Sequence, residues 1–215
     1  MKRMSCLLLA LLMLLSCTSA FADGFTDLFG SFEHIYAKLD SVSNDCEIKP
    51  KPSGFTAYGT DGFAFLPVFA RTGDVLIPMV VKKGNTLAEN WGAHVMIVTD
   101  QYTYKLDGKN NSTSSITIDN LPYSCFLLPQ EAMPMFKDIA ASATVTVRCS
   151  IDSTHAGKPD YQLGAEAKAL FGAVYEAFMK YDAILDNDLM DTVMNGKAYD
   201  AVIYKREANT ASIWD

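Results

Sequence analysis

The chain has 215 residues, with 18 Lys and Arg against 25 Asp and Glu and a formal charge of −7. An acidic chain without a basic stripe repels nucleic-acid phosphates and anionic lipid head groups, so both are excluded as charge-driven partners. Apolar residues make up 49% of it, enough for one full hydrophobic core.

Residues 1–22 have the anatomy of a secretory signal peptide. Lys2 and Arg3 form a positive start, and Leu7 to Leu15 is an apolar run too short to span a bilayer. The small residues Thr18, Ser19, Ala20 and Ala22 follow. Removing this leader takes away two cations and no acid, which shifts the net charge from −7 to −9. The stretch LLSCTSAFADG carries two processing signals. LLSC resembles a lipoprotein cut that would leave Cys17 to carry lipid, and AFA before Asp23 resembles an ordinary signal-peptidase site. Few residues separate Cys17 from the first expected helix, too few for a polar tether, so release after Ala22 is the favoured reading. The expected location is extracytoplasmic, periplasmic or secreted. Contact with a membrane is expected only through a lipidated Cys17. No later stretch reaches the ~18 apolar residues of a spanning helix.

In chain order, Phe25, Leu28, Phe29, Phe32, Ile35, Tyr36 and Leu39 fall at helical spacing and predict an amphipathic N-terminal helix. A polar, proline-bearing connector follows. GFTAYG, GFAFLPVFA and DVLIPMVVKK read as strands. Pro67 and Pro78 remove backbone donors and predict edge or bulged strands. HVMIV and YTYKL predict a hairpin around Asp100. SITIDNLPYSCFLL reads as a strand bent near Pro122. PQEAMPMFKDIAAS then has helical period. ATVTVRCSI alternates, with Val145, Val147, Cys149 and Ile151 on one side and Thr144, Thr146, Arg148 and Ser150 on the other. Leu163, Ala167, Leu170, Phe171, Val174, Phe178 and Tyr181 mark a long C-terminal helix. A strand is expected from Tyr199 to Tyr204.

Strands grouped together with helices to one side indicate an α+β fold. The expectation is an antiparallel β-meander of about five to seven strands with helices packed on one face. Residues 23–205 would form a single domain and 206–215 a flexible tail.

Few residues suggest chemistry. The sequence has no G-x-S-x-G elbow, no H-E-x-x-H, no P-loop, no G-x-G-x-x-G and no C-x-x-C. No catalytic residue, cofactor or metal site is assigned from it. Trp91, His94, Asp100 and Tyr102 are the candidates for a shared pocket, near the predicted hairpin. Cys46, Cys125 and Cys149 remain after leader removal, and exported chains tend to pair their thiols. Cys125 with Cys149 is one bridge that would tie the strands flanking the short helix, and Cys46 with either is another. The composition and the missing motifs favour a non-catalytic domain that binds a protein, a peptide or an envelope component. A hydrolase with a dispersed site using His94 or Asp100 and an envelope assembly factor are the alternatives.

Overall fold

The computed structural model describes residues 27–39, 46–72, 75–83, 94–107, 114–118, 121–128, 132–150, 159–182 and 203–209. The signal region, Trp91 and the side chains of Cys46 and Cys125 lie outside this description. The fold is α+β, with antiparallel pairing throughout the described strands.

Two sheets share the strands, rather than one meander. The first runs in the order β1 (Ile35–Leu39), β2 (Cys46–Pro50), β3 (Ala64–Thr72), β4 (Val75–Lys83), β8 (Leu121–Leu127), β7 (Ser114–Ile118). The second runs β10 (Tyr161–Gln162), β9 (Thr146–Ser150), β5 (His94–Val98), β6 (Tyr102–Asp107), β11 (Ile203–Ala208).

Several expectations change for local reasons. Among the described residues the expected N-terminal helix is helical at 27–29, and its second half, Ile35–Leu39, is strand β1. There, pairing with β2 overrides the helical spacing of the apolar residues. Within GFTAYG, Gly54–Ala57 form a short helix, α1. The chain then turns through Asp61 and Gly62, both at positive φ, with Thr60 and Phe63 exchanging two backbone hydrogen bonds of 2.8 and 2.9 Å. Asp-Gly is the pair that such a two-residue hairpin turn demands. Pro67 and Pro78 do not mark edge strands, because β3 and β4 are interior to the first sheet. Each proline stands just past the end of a neighbouring ladder: β2 reaches only to Phe69 of β3, and β8 only to Met79 of β4. The run SITIDNLPYSCFLL is not one bent strand but a tight β7–β8 hairpin, with Ile118 opposite Leu121. Arg206, Glu207 and Ala208, expected in a tail, belong to β11 and pair with β6.

Helix α2 (Met133–Ala141) carries the chain from β8 in the first sheet to β9 in the second. Pro134 lies in its first turn, where a missing N–H leaves no bond broken. Met133, Met135, Phe136 and Ile139 are buried on it. Helix α3 (Ala165–Asp182) buries the stripe Ala167, Leu170, Phe171, Val174, Ala177 and Phe178. Phe171 meets both partners of this helix. Its ring stacks on Phe65 of β3 at 5.8 Å and stands edge-on to Phe136 of α2 at 5.0 Å. Phe63, entering β3, stacks on Tyr161 of β10 at 4.2 Å and so joins the sheets directly. One apolar cluster therefore holds residues of both sheets and of α1, α2 and α3.

Phe171 is fully buried. Its replacement by Ala would leave a cavity at the junction and lower stability by about 3–5 kcal/mol, read from urea unfolding. A loss under about 1 kcal/mol would contradict this packing.

Candidate functional site

The hairpin read from the sequence sits at the centre of the second sheet. Thr99 closes its turn: the Thr99 hydroxyl donates to the Tyr102 carbonyl at 2.9 Å and accepts the Tyr102 N–H at 3.1 Å. The hairpin does not gather His94, Asp100 and Tyr102 into one pocket. His94 begins β5, while Asp100 and Tyr102 lie at its other end. Strand β5 alone separates them by ~13 Å.

Asp100 holds the connection between α2 and β9. Its carboxylate accepts the N–H groups of Ala143 at 2.7 Å and Thr144 at 3.1 Å. These two backbone bonds hold its carboxyl below the usual carboxylate range. From the other side, Lys168 of α3 donates to the carbonyls of Ser142 at 3.0 Å and Ala143 at 2.7 Å. Asp100 is thus a loop anchor.

Tyr102 belongs to a cluster on the helix-facing side of the sheet. The Arg206 guanidinium lies 3.7 Å over the Tyr102 ring and donates to Asp138 of α2 at 3.1 Å. The Tyr104 hydroxyl donates to the same Asp138 oxygen in a short hydrogen bond. Burial, and then the Asp138 carboxylate, push the Tyr104 hydroxyl well above the ordinary phenol range. Tyr204 stacks on Tyr104 at 6.0 Å. Its buried hydroxyl has no hydrogen-bond partner among the described residues. The cluster docks β11 and α2 onto β6.

The opposite face of the same sheet gathers chemistry of another kind. His94 lies directly across from Ser150 of β9 and from Asp107 of β6. Residues opposed in this way project to the same face, with Cα atoms ~4.5–5.5 Å apart. Ser150, His94 and Asp107 therefore form one row across three adjacent strands. His94 Nδ1 is 2.8 Å from Asp107 Oδ1. An ionised carboxylate only accepts, so Nδ1 carries the proton. The His94 and Asp107 side chains are 19% and 26% exposed, and Ser150 is fully buried. The next row along the face is Arg148, Met96 and Lys105. Arg148 and Lys105 are paired there, and Lys205 of β11, directly across from Lys105, continues the row. Arg148 grips Asp160 through two bonds of 2.6 and 2.7 Å, and Lys105 meets Glu207 at 3.0 Å.

His34, within the span of the expected N-terminal helix, lies in the turn before β1, with Nδ1 3.1 Å from the Ser53 hydroxyl. Cys149 is a thiol buried on the helix-facing side of β9, and Cys125 stands on β8 in the other sheet. The side chain of Cys125 lies outside the described residues. Among the described residues no three His, Cys, Asp or Glu side chains converge to hold a metal ion, and no helix is long and apolar enough to cross a membrane.

Asp107 and Ser150 are not among the candidates that the sequence offers, although the alternation of β9 puts Ser150 on the side opposite Val147 and Cys149. What no local pattern supplies is the register between β9, β5 and β6. No protein-family model, curated protein or solved structure matches the chain.

Asp100→Ala is expected to lower the melting temperature and speed amide exchange at Ala143 and Thr144, read by heteronuclear NMR. The pH dependence has a definite sign. A carboxyl depressed by folding stabilises above its unfolded pKa, and that stability is lost as pH falls through the folded value. The wild-type advantage over Asp100→Ala should hold at neutral pH and vanish below the usual carboxylate range. An advantage that persists at the most acid pH would contradict the anchor role.

Proposed function

We propose that the protein is an exported domain that acts by binding a protein, a peptide or a component of the cell envelope. The observation that supports this most is the use made of its ionisable groups. Asp100 holds backbone amides, Asp138 holds Tyr104 and Arg206, and Asp160 holds Arg148. These groups maintain a rigid frame, and rigid frames are suited to recognition, because little ordering remains to oppose association. The leader-like residues 1–22 support release outside the cytoplasm, with Asp23 as the mature N-terminus.

Photo-cross-linking in the native host tests both halves. Cross-linkers would replace Met96 or Lys205 on the outward side of the second sheet, Tyr36 on β1, and Lys137 on α2. A binding domain gives one discrete adduct from neighbouring positions and none from the rest. Adducts from no position, or the same smear from all, would contradict binding. Mass spectrometry of the same material is expected to find Asp23 at the N-terminus, and a diacylated Cys17 would contradict release.

A further inference from the structure

Strand β11 ends the order of the second sheet, so one of its two edges meets no other described strand. The phase of its hydrogen bonds tells which residues face that edge. The Asn209 N–H donates to the Gln101 carbonyl beside β6 at 2.8 Å. Along an antiparallel strand, residues turn their backbone groups alternately to one neighbour and the other. Glu207 and Lys205 therefore also turn theirs to β6, opposite Thr103 and Lys105. Tyr204, Arg206 and Ala208 turn their N–H and C=O groups outward. Lys205, Arg206, Glu207 and Ala208 are exposed. Such an edge is a template for one more strand.

We propose that this edge pairs antiparallel with β11 of a second copy of the chain, about a two-fold axis at Arg206. A two-fold contact uses the same edge twice, so outward residues must meet outward residues. Charge then selects among the registers that remain. Centring on Lys205 opposes two lysines, and centring on Glu207 opposes two glutamates. Centring on Arg206 sets Lys205 opposite the partner's Glu207, and Glu207 opposite the partner's Lys205. It also engages every outward residue of the strand, with Tyr204 opposite the partner's Ala208, in about six backbone hydrogen bonds. The Lys–Glu pairs occupy the positions between those bonds, where facing Cα atoms are ~4.5 Å apart and side chains are closest. Both groups are available for this. Lys205 forms no ion pair among the described residues and stands opposite the like charge of Lys105. Glu207 meets Lys105 at 3.0 Å, yet its side chain is 54% exposed. On the other face the two Arg206 cations flank the axis, but each leans back over its own Tyr102 ring at 3.7 Å and bonds its own Asp138 at 3.1 Å. A lysine on an edge discourages indiscriminate strand addition. A strand that brings a carboxylate opposite Lys205 removes that obstacle, and the chain's own β11 brings one in the required phase.

The pairing stands apart from the binding reading, because purified exported protein with no other component tests it. Sedimentation equilibrium is expected to show the mass rising with concentration to twice that of one chain. Amide exchange at Tyr204, Arg206 and Ala208 should slow over the same concentration range. Ala208→Pro removes an outward N–H and no bond to β6, so it should weaken the dimer at least ~10-fold while keeping the wild-type circular dichroism. Glu207→Lys should weaken it similarly, and adding Lys205→Glu to that variant should restore it. A monomer at ~1 mM would overturn the proposal. Slow exchange at the three amides of such a monomer would assign the edge to another segment of the same chain. A dimer unchanged by both Ala208→Pro and Glu207→Lys, or one whose three edge amides exchange as fast as in the monomer, would overturn it by placing the interface elsewhere. Wild-type sedimentation and exchange need no variant, so a variant that fails to fold does not rescue the claim. A discrete adduct to a different protein in the cross-linking experiment stands whether or not the dimer forms.

Discussion

Two sheets must bury one face each against a single thin layer of helix, and Phe171 is where that requirement is met. Its ring touches Phe65 of the first sheet and Phe136 of α2. The second sheet buries Val95, Ile97, Leu106 and Val147 in the same apolar cluster and adds polar contacts, through Tyr104 and Arg206 to Asp138 and through Asp100 to the loop that ends α2. The apolar burial shared by both sheets is non-directional, and its strength scales with area. The polar contacts are directional bonds that fix where the second sheet sits. A sheet held this way has one register relative to the helices, and rows of side chains on its outer face are held with it.

That division explains where chemistry can reside. Helix-facing residues of the second sheet, Val95, Ile97, Tyr104, Leu106, Val147 and Cys149, are all buried. Alternation then places His94, Met96, Lys105, Asp107, Arg148 and Ser150 together on the other side. The outer face is thus where the partly exposed His94 and Asp107 and the buried Ser150 stand in one row, set by two antiparallel ladders. A slip of one residue in any ladder would separate His94 from Asp107 or from Ser150. The binding reading depends on that register being unique.

Local pattern made part of this legible. The β5–β6 hairpin, the alternation of β9, the α2 face and the α3 stripe follow from period and turn chemistry at Asp100, Met133, Phe136 and Leu170. Non-local pairing made the rest illegible. Ile35 and Tyr36 repeat at helical spacing, yet β2 takes them as a strand partner. Pro67 and Pro78 look like edge markers, but interior strands tolerate them where neighbouring ladders stop short. Asp107 precedes Gly108, and an Asp-Gly pair in sequence is the pattern of a turn. Only pairing with β5 turns it toward His94. Asp100, the more conspicuous acid in sequence, serves the loop at 142–144 instead.

The central claim is that His94 is held by Asp107 in a fixed orientation and tautomer on the outer face of the second sheet. Long-range proton–nitrogen NMR of the histidine rings measures this directly. The account predicts a protected proton on Nδ1 of His94, far downfield as in a strong bond to a carboxylate, and lost in Asp107→Asn. A neutral His94 ring carrying its proton on Nε2 instead, with an Asp107→Asn spectrum unchanged from wild type, would contradict it.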